Sequence, residues 1–216
     1  MAFTANDYVI DSADQYGDTG YDRVSVADWL RYLNAAIRAT ILVRPDAGSV
    51  SESYQLASGV KQTIPTAGLR LLDIVRNMGS DGLTAGKIIT PAKRQHIDYS
   101  NLLWPAATGG TAVDNFSYDP ETPRIFYVTP PVASTTDVYV EIVTSQLPTK
   151  ITAVGDDDGI SDLFFEPLVQ YMLYKAYTGD DENVEYQKGI QCLQNFFNLL
   201  QVEMTAAASQ GPETKE

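Results

Sequence analysis

The run Asp119-Pro120-Glu121-Thr122-Pro123-Arg124-Ile125-Phe126-Tyr127-Val128-Thr129-Pro130-Pro131 constrains the fold more than any other part of this chain. Proline fixes φ and donates no backbone hydrogen bond, so Pro120, Pro123, Pro130 and Pro131 predict a strand confined to residues 124–129. Ile125 and Tyr127 then face one side of a sheet and Phe126 and Val128 the other. Both faces need cover, from the protein itself or from a partner.

The flanks read as helix. Residues 1–24 mix Asp, Gly, Tyr and Ser without a clear period and are expected to form an extended arm that orders against a neighbour. From Ser25 the pattern changes. Ser25 and Asp28 open a helix in the manner of a capping box, and Val26, Trp29, Leu30, Leu33, Ile37 and Ile41 follow on one stripe, leaving Asp28, Arg31, Asn34 and Arg38 off it. That helix has to end before Pro45. Near the other end, Glu166-Pro167 opens a helix to Tyr177 that is apolar on most sides and so central. Thr178-Gly179-Asp180 reads as a tight stop and restart, with Gly179 as a left-handed cap and Asp180 as the next N-cap. The last helix carries Tyr186, Ile190, Leu193, Phe197, Leu200 and Met204 on one stripe.

Between these helices, β-branched and aromatic residues rise and Gly or Pro recurs every few positions. Strands are predicted over 52–57, 61–64, 69–76, 86–90, 124–129 and 137–144, with a short helix within 91–105 and a loosening of the chain at Gly109-Gly110. The fold class is therefore α+β: an antiparallel helical bundle, made of an N-terminal helix and a C-terminal helix pair, carrying an inserted antiparallel β domain and extended arms at both termini. The expected divisions are an arm at 1–24, the bundle from 25–48 and 160–204, the β-rich insertion at 49–159 and a flexible tail at 205–216.

Charge and rare residues limit the chemistry. The net charge of −13 is concentrated in residues 1–22, with five aspartates and no base, and in residues 150–185, with nine acids against Lys150 and Lys175. Nucleic-acid affinity by counterion release from a basic surface does not fit this balance. One cysteine, Cys192, forbids an internal disulfide, and one histidine, His96, forbids a histidine-rich metal site. His96 beside Lys93 and Arg94 reads as a surface residue, and Cys192 beside Leu193 as an inert helical thiol. Asp156-Asp157-Asp158-Gly159 lacks the alternating acids of a calcium loop and reads as a solvated turn. No phosphate-binding loop and no dinucleotide fingerprint occur, so no cofactor is expected. The N-terminus lacks a basic region followed by an apolar stretch, and no apolar run approaches the roughly 18–20 residues that span a bilayer. Neither a signal peptide nor membrane binding is expected.

The proline-bracketed strand, together with Val43-Arg44-Pro45-Asp46, Gln62-Thr63-Ile64-Pro65, Leu69-Arg70-Leu71-Leu72-Asp73-Ile74-Val75-Arg76-Asn77-Met78-Gly79 and Glu166-Pro167-Leu168-Val169-Gln170-Tyr171-Met172-Leu173-Tyr174-Lys175-Ala176-Tyr177, resembles the head-to-tail adaptor (connector) proteins of short-tailed bacteriophages. Lys175 stands where such proteins often have Arg, keeping the charge but not a bidentate fork. The resemblance covers about residues 25–200. It implies a non-catalytic virion protein at the head-tail neck, made in the bacterial cytoplasm. Copies would form a ring, twelve by expectation, joining the portal to a tail tube or nozzle protein or to tail fibres, with DNA passing through without specific binding.

On that reading the surplus aromatics and the two arms are interface. The candidate partner-facing residues are Tyr8, Tyr16, Tyr21, Phe126, Tyr127, Tyr139, Met204, Glu213 and Glu216. Asp156, Asp157 and Asp158 are candidates for an acidic channel wall that repels DNA. The alternatives are another tail ring component, a tube or nozzle subunit, or a tail-associated glycan hydrolase or glycan-binding protein. The last of these is poorly served by Trp29 in a helical stripe and Trp104 beside a proline.

Overall fold

Helical and strand periods alternate along the chain to give a mixed α+β architecture, with five helices and two sheets among the described residues. The computed structural model describes residues 3–100, 102–179 and 185–209, and only the backbone of residues 100 and 202–209. The chain divides into two compact units, one built from residues 1–47 and 148–216, the other from residues 48–147.

The first unit holds helices α1 (Ala5–Tyr16), α2 (Val26–Val43), α4 (Phe165–Gly179) and α5 (Tyr186–Ser209). Helix α1 replaces the extended arm expected over residues 1–24. Ala5, Tyr8, Val9, Ala13 and Tyr16 line its inner side and are buried, while Asp7, Asp11 and Asp14 occupy the outer side. Thr4 and Asp7 close a capping box at its start, with Thr4 N–H and Oγ1 donating to Asp7 Oδ2 at 2.7 and 2.8 Å. Gly17, at φ 78, ends it in the left-handed cap that only glycine adopts freely. The following turn is closed by Asp18, whose carboxylate accepts from the N–H groups of Asp22, Arg23 and Val24 at 2.8–3.0 Å.

Helix α2 starts at Ser25, whose Oγ accepts from Asp28 N–H, and stops before Pro45. Its buried residues are Trp29, Leu33, Ala36, Ile37, Thr40 and Ile41. Helix α4 packs against α1, α2 and α5 and buries Leu168, Val169, Met172, Leu173 and Ala176. Gly179 lacks the expected left-handed conformation, and Asp180 lies outside the described residues. Helix α5 packs through Gly189, Phe196 and Leu200, with Leu193 half-buried beside them, so Leu193 and Leu200 of the expected stripe face inward while Tyr186, Ile190 and Phe197 face outward. Packing against α4 selects the glycine and Phe196, because the small residue allows close approach while a neighbouring ring fills the gap.

The second unit holds two sheets. Strands β1 (Ser49–Gln55), β7 (Tyr139–Gln146) and β3 (Gly68–Asn77) form an antiparallel sheet in the order β1-β7-β3. Strands β2 (Gly59–Thr63), β6 (Ile125–Val132), β5 (Asn115–Tyr118) and β4 (Thr90–Pro91) form the other in the order β2-β6-β5-β4, with only β4 and β5 parallel. Helix α3 (Arg94–Ser100) lies within the segment 91–105 read as a short helix, and a short 3-10 turn at Trp104–Ala106 straddles its end. The core joins Leu71 and Ile74 of β3, Phe126 and Val128 of β6, and Val140 and Ile142 of β7.

Strand β6 runs further than its prolines predicted, through Pro130 and Pro131. The neighbouring ladders make this possible. Strand β2 shifts register between Gly59 and Lys61, which pair with Val132 and Tyr127, and β5 pairing ends at Thr129, so neither neighbour asks the prolines for an N–H. Strand β5 was not foreseen, being only four residues long, and the strand expected over 86–90 contracts to β4 and a single bridge from Ile88 to Arg76. Gly109-Gly110 is a clip rather than a loose joint. Gly110 N–H donates to Pro131 O at 2.7 Å and its carbonyl accepts from Ala133 at 3.0 Å, while a Cβ on Gly109 would lie 2.6 Å from the Ala133 Cα.

Candidate functional site

Burial separates the candidate aromatics into two groups. Tyr8, Tyr16 and Phe126 belong to the interior of their own units, with Tyr8 and Phe126 fully inaccessible. The Tyr8 ring stacks on Phe165 with centroids 4.5 Å apart, and its hydroxyl donates to Asp158. Tyr16 meets Trp29 edge-on and carries the Arg23 guanidinium 4.5 Å from its ring centroid. These three are therefore corrected from partner-facing to core, because burying a ring within the chain's own unit removes the apolar area a partner would cover.

Tyr21, Tyr127 and Tyr139 remain partly exposed. Tyr21 sits in the turn after α1 at φ 57. Tyr127 lies on the outer side of β6 under the Arg94 guanidinium, 4.7 Å from the ring centroid, so a cation supplies part of the cover that this face needs. Tyr139 donates its hydroxyl to Gln55 Oε1 at 3.3 Å. The Met204 side chain, Glu213 and Glu216 lie outside the described residues.

The acidic turn is also sorted by its geometry. Asp158 is buried and accepts from the Tyr8 hydroxyl and from Ile160 N–H, and burial pushes its carboxyl above the ordinary range. Asp156 turns back on its own loop, accepting from Thr152 and Ala153 N–H at 2.7 and 2.9 Å, and these bonds hold its carboxyl below the ordinary range. Asp157 is the most exposed of the three, with its Oδ1 accepting from Gly159 N–H at 2.9 Å, and Asp158 leaves the candidate channel wall to become part of the clasp that holds α1. The clasp continues through Ala5 N–H to Asp156 O and Asn6 N–H to Val154 O, at 2.9 and 2.8 Å.

Several other surfaces are exposed among the described residues. Along α2, Arg31, Arg38 and Lys150 border a groove of about 530 Å3 floored by Leu30, Ala35 and Ile151. Asn34 fixes its wall, donating to Leu30 O and Ile151 O at 2.7 and 2.9 Å and accepting from Ile151 N–H at 3.0 Å. In the second unit, Tyr99 on α3 and Leu102 and Leu103 just after it stand 88%, 85% and 73% exposed, an apolar patch that a solitary protein gains nothing by showing. On α5, the exposed Tyr186, Ile190 and Phe197 belong to a helix with no charged residue from 189 to 202.

His96 is exposed on α3, and Cys192 is half-buried with its thiol pushed up by burial. Among the described residues no three His, Cys, Asp or Glu side chains converge to hold an ion, and no helix is long and apolar enough to cross a membrane.

The family model for SU10 adaptor protein matches residues 4–215, spanning both units. The chain belongs to the SU10 adaptor protein family. This makes it a phage adaptor, a structural component of the virion, and implies contact with portal and tail components. Comparison with curated proteins gives no match.

Several motifs that carry the resemblance have structural roles in this adaptor. In Val43-Arg44-Pro45-Asp46 the buried Arg44 grips Asp46 with Nε and Nη2, at 2.9 and 2.6 Å, and donates from Nη1 to Leu200 O on α5 at 3.3 Å. That grip holds the Asp46 carboxyl below the ordinary range. Gln62, buried in β2, accepts from Ala57 N–H and donates to Ala57 O and Gly59 O. Asn77 donates to Lys87 O and Val113 O and accepts from Val113 N–H, all within 3.0 Å, pinning both ends of the long 78–112 excursion. Lys175 lies over the Tyr171 and Tyr174 rings, 5.6 and 5.4 Å from their centroids, a contact that a point charge makes as well as a fork does. The motifs are legible in the sequence but their hydrogen bonds are not: those of Asn77 to Val113 and of Arg44 to Leu200 O reach distant neighbours, while the Arg44–Asp46 and Gln62 bonds are local and depend on backbone geometry that residue types do not record.

Proposed function

We propose that the chain is a subunit of a head-to-tail adaptor ring that joins the portal to the tail and lets DNA through during packaging and ejection. The observation that carries this is the family match across residues 4–215, which includes the helical unit and the β unit together. In this reading the helices form an antiparallel bundle that is the ring's body, and the β unit is an insertion that presents its exposed apolar patch to a neighbour or to the tail. The ring holds twelve copies, and no step of its work is catalytic.

Charge supports the conduit role. The helical unit has 19 acids and 8 bases, against 9 and 7 in the β unit. A wall of that sign repels the phosphate backbone, so the duplex slides without adhering.

The test is electron microscopy of the purified full chain, alone and mixed with portal. Rings of adaptor stacked on one end of the portal are expected. Binding only to completed tails, with none to portal, would assign the chain to a tube or nozzle position instead.

A further inference from the structure

Copies of a subunit with 19 acids and 8 bases in its helical unit repel one another unless some surface reverses the sign. The groove along α2 does so. Three of that unit's eight bases border it, and among the described residues neither Arg38 nor Lys150 has an acidic partner, while Arg31 is held by Asp28 at 2.8 Å. Arg31 and Arg38 are seven residues apart, two helical turns, or roughly 10.5 Å along the axis. The apolar floor lies between them, and the Asn34 hydrogen bonds keep the wall in place before any partner arrives.

The outer side of α1 carries the complementary pattern. Asp7 and Asp14 are also seven residues apart, again two turns or roughly 10.5 Å, with the exposed Ile10 midway between them and Asp11 beside it. Asp11 feels the charges of Glu166 and Asp14, and its carboxyl is raised by burial and by those neighbours, so a cation placed against this face relieves an existing repulsion.

We propose that the α2 groove of one copy receives the outer side of helix α1 from a second copy, with Asp7 and Asp14 against the groove's cations and Ile10 on its apolar floor. This deepens the ring reading above and rests on it. Groove and helix face share no residue, so the contact is head-to-tail: each copy gives one face and takes another, which closes into a ring when the rotation allows. The contact is charge-assisted, and at 1 M salt, where the screening length is about 3 Å, it weakens.

The full-length chain tests this by charge exchange. Arg38→Glu with Lys150→Glu reverses the groove, and Asp11→Lys with Asp14→Lys reverses the helix face. Each double variant alone is expected to lose self-association at least tenfold by sedimentation and to form no ring on portal. The two mixed in equal amounts regain both, because each reversed face then meets its complement. The neutral pair Arg38→Gln with Lys150→Gln serves as a milder check and gives an intermediate loss.

Rings from either charge-reversed variant alone, or no recovery on mixing folded variants, would overturn the proposal. So would groove-dependent retention of duplex DNA with copy-to-copy association unchanged, which assigns the groove to phosphate. If the wild type binds portal without ringing, the ring reading falls, while association of the two variants in solution still decides the contact.

Discussion

Tyr8 and Asp158 show how much one pair contributes when both members are out of water. Tyr8→Phe removes the hydroxyl that donates to the buried carboxylate and leaves Ile160 N–H as its remaining donor. The expected cost is about 1–3 kcal/mol, read by urea denaturation of the full chain. The pH dependence of this site follows from burial, which raises the Asp158 carboxyl above its usual value of 3.8. For an acid shifted that way, the favourable contribution is full below the unfolded pKa and is lost as pH rises through the folded one. The melting temperature of wild type minus that of Asp158→Asn is therefore expected to be most positive below pH 4 and to fall as the pH climbs toward neutrality. A difference that grows with pH would contradict the assignment. Asp156 and Asp7, whose carboxyls are lowered by backbone hydrogen bonds, act with the opposite sign: their contribution is present above the unfolded value and is lost on acidification.

The elements were legible where a period ran uninterrupted. Helix α2 announced itself by its stripe and by Ser25, and α4 by being apolar on most sides, but α1 was hidden behind its own aspartates. Thr4, Asp7 and Gly17 were the available signals, a capping box and a left-handed stop bracketing twelve residues. With that helix hidden, Tyr8 and Tyr16 read as partner-facing residues of an extended arm, whereas both are buried in their own unit. On α5, one apolar stripe at helical spacing did not reveal which side packs, since Ile190 and Phe196 are equally apolar and only α4 chooses between them. In the β unit, β5 pairs with its near neighbour β6, Tyr118 opposite Phe126, but is too short to carry a pattern of its own, while the limits of β6 depend on β2, far earlier in the chain. Asn77 is the clearest element-scale lever there. Asn77→Ala is expected to cost about 2–3 kcal/mol. It should also speed amide exchange at Val113, whose N–H donates to the Asn77 side chain, well ahead of exchange in β7. Equal protection at Val113 in the variant would show that the loop is held by other means.

For the whole molecule, charge is the quantity that links fold to proposed role. With Asp158 inside and Asp156 folded onto its loop, the exposed acids Asp157 and Asp162 are the ones to neutralise. Asp157→Ser with Asp162→Ser is expected to leave rings intact and to slow DNA ejection in reconstituted particles severalfold. Unchanged ejection kinetics would remove the acidic wall from the account of DNA passage. The split of the helical unit around residues 48–147 also has a consequence for how the protein is made. Helix α1 leaves the ribosome early, yet the groups that bury it, among them Asp158, Phe165 and Met172, are translated some 140–160 positions later. At ordinary synthesis speeds of about 5–20 residues per second, that is a wait of roughly 7–30 s. The contiguous β unit is complete before then, so the nascent chain carries a finished middle while its first helix is still without a home.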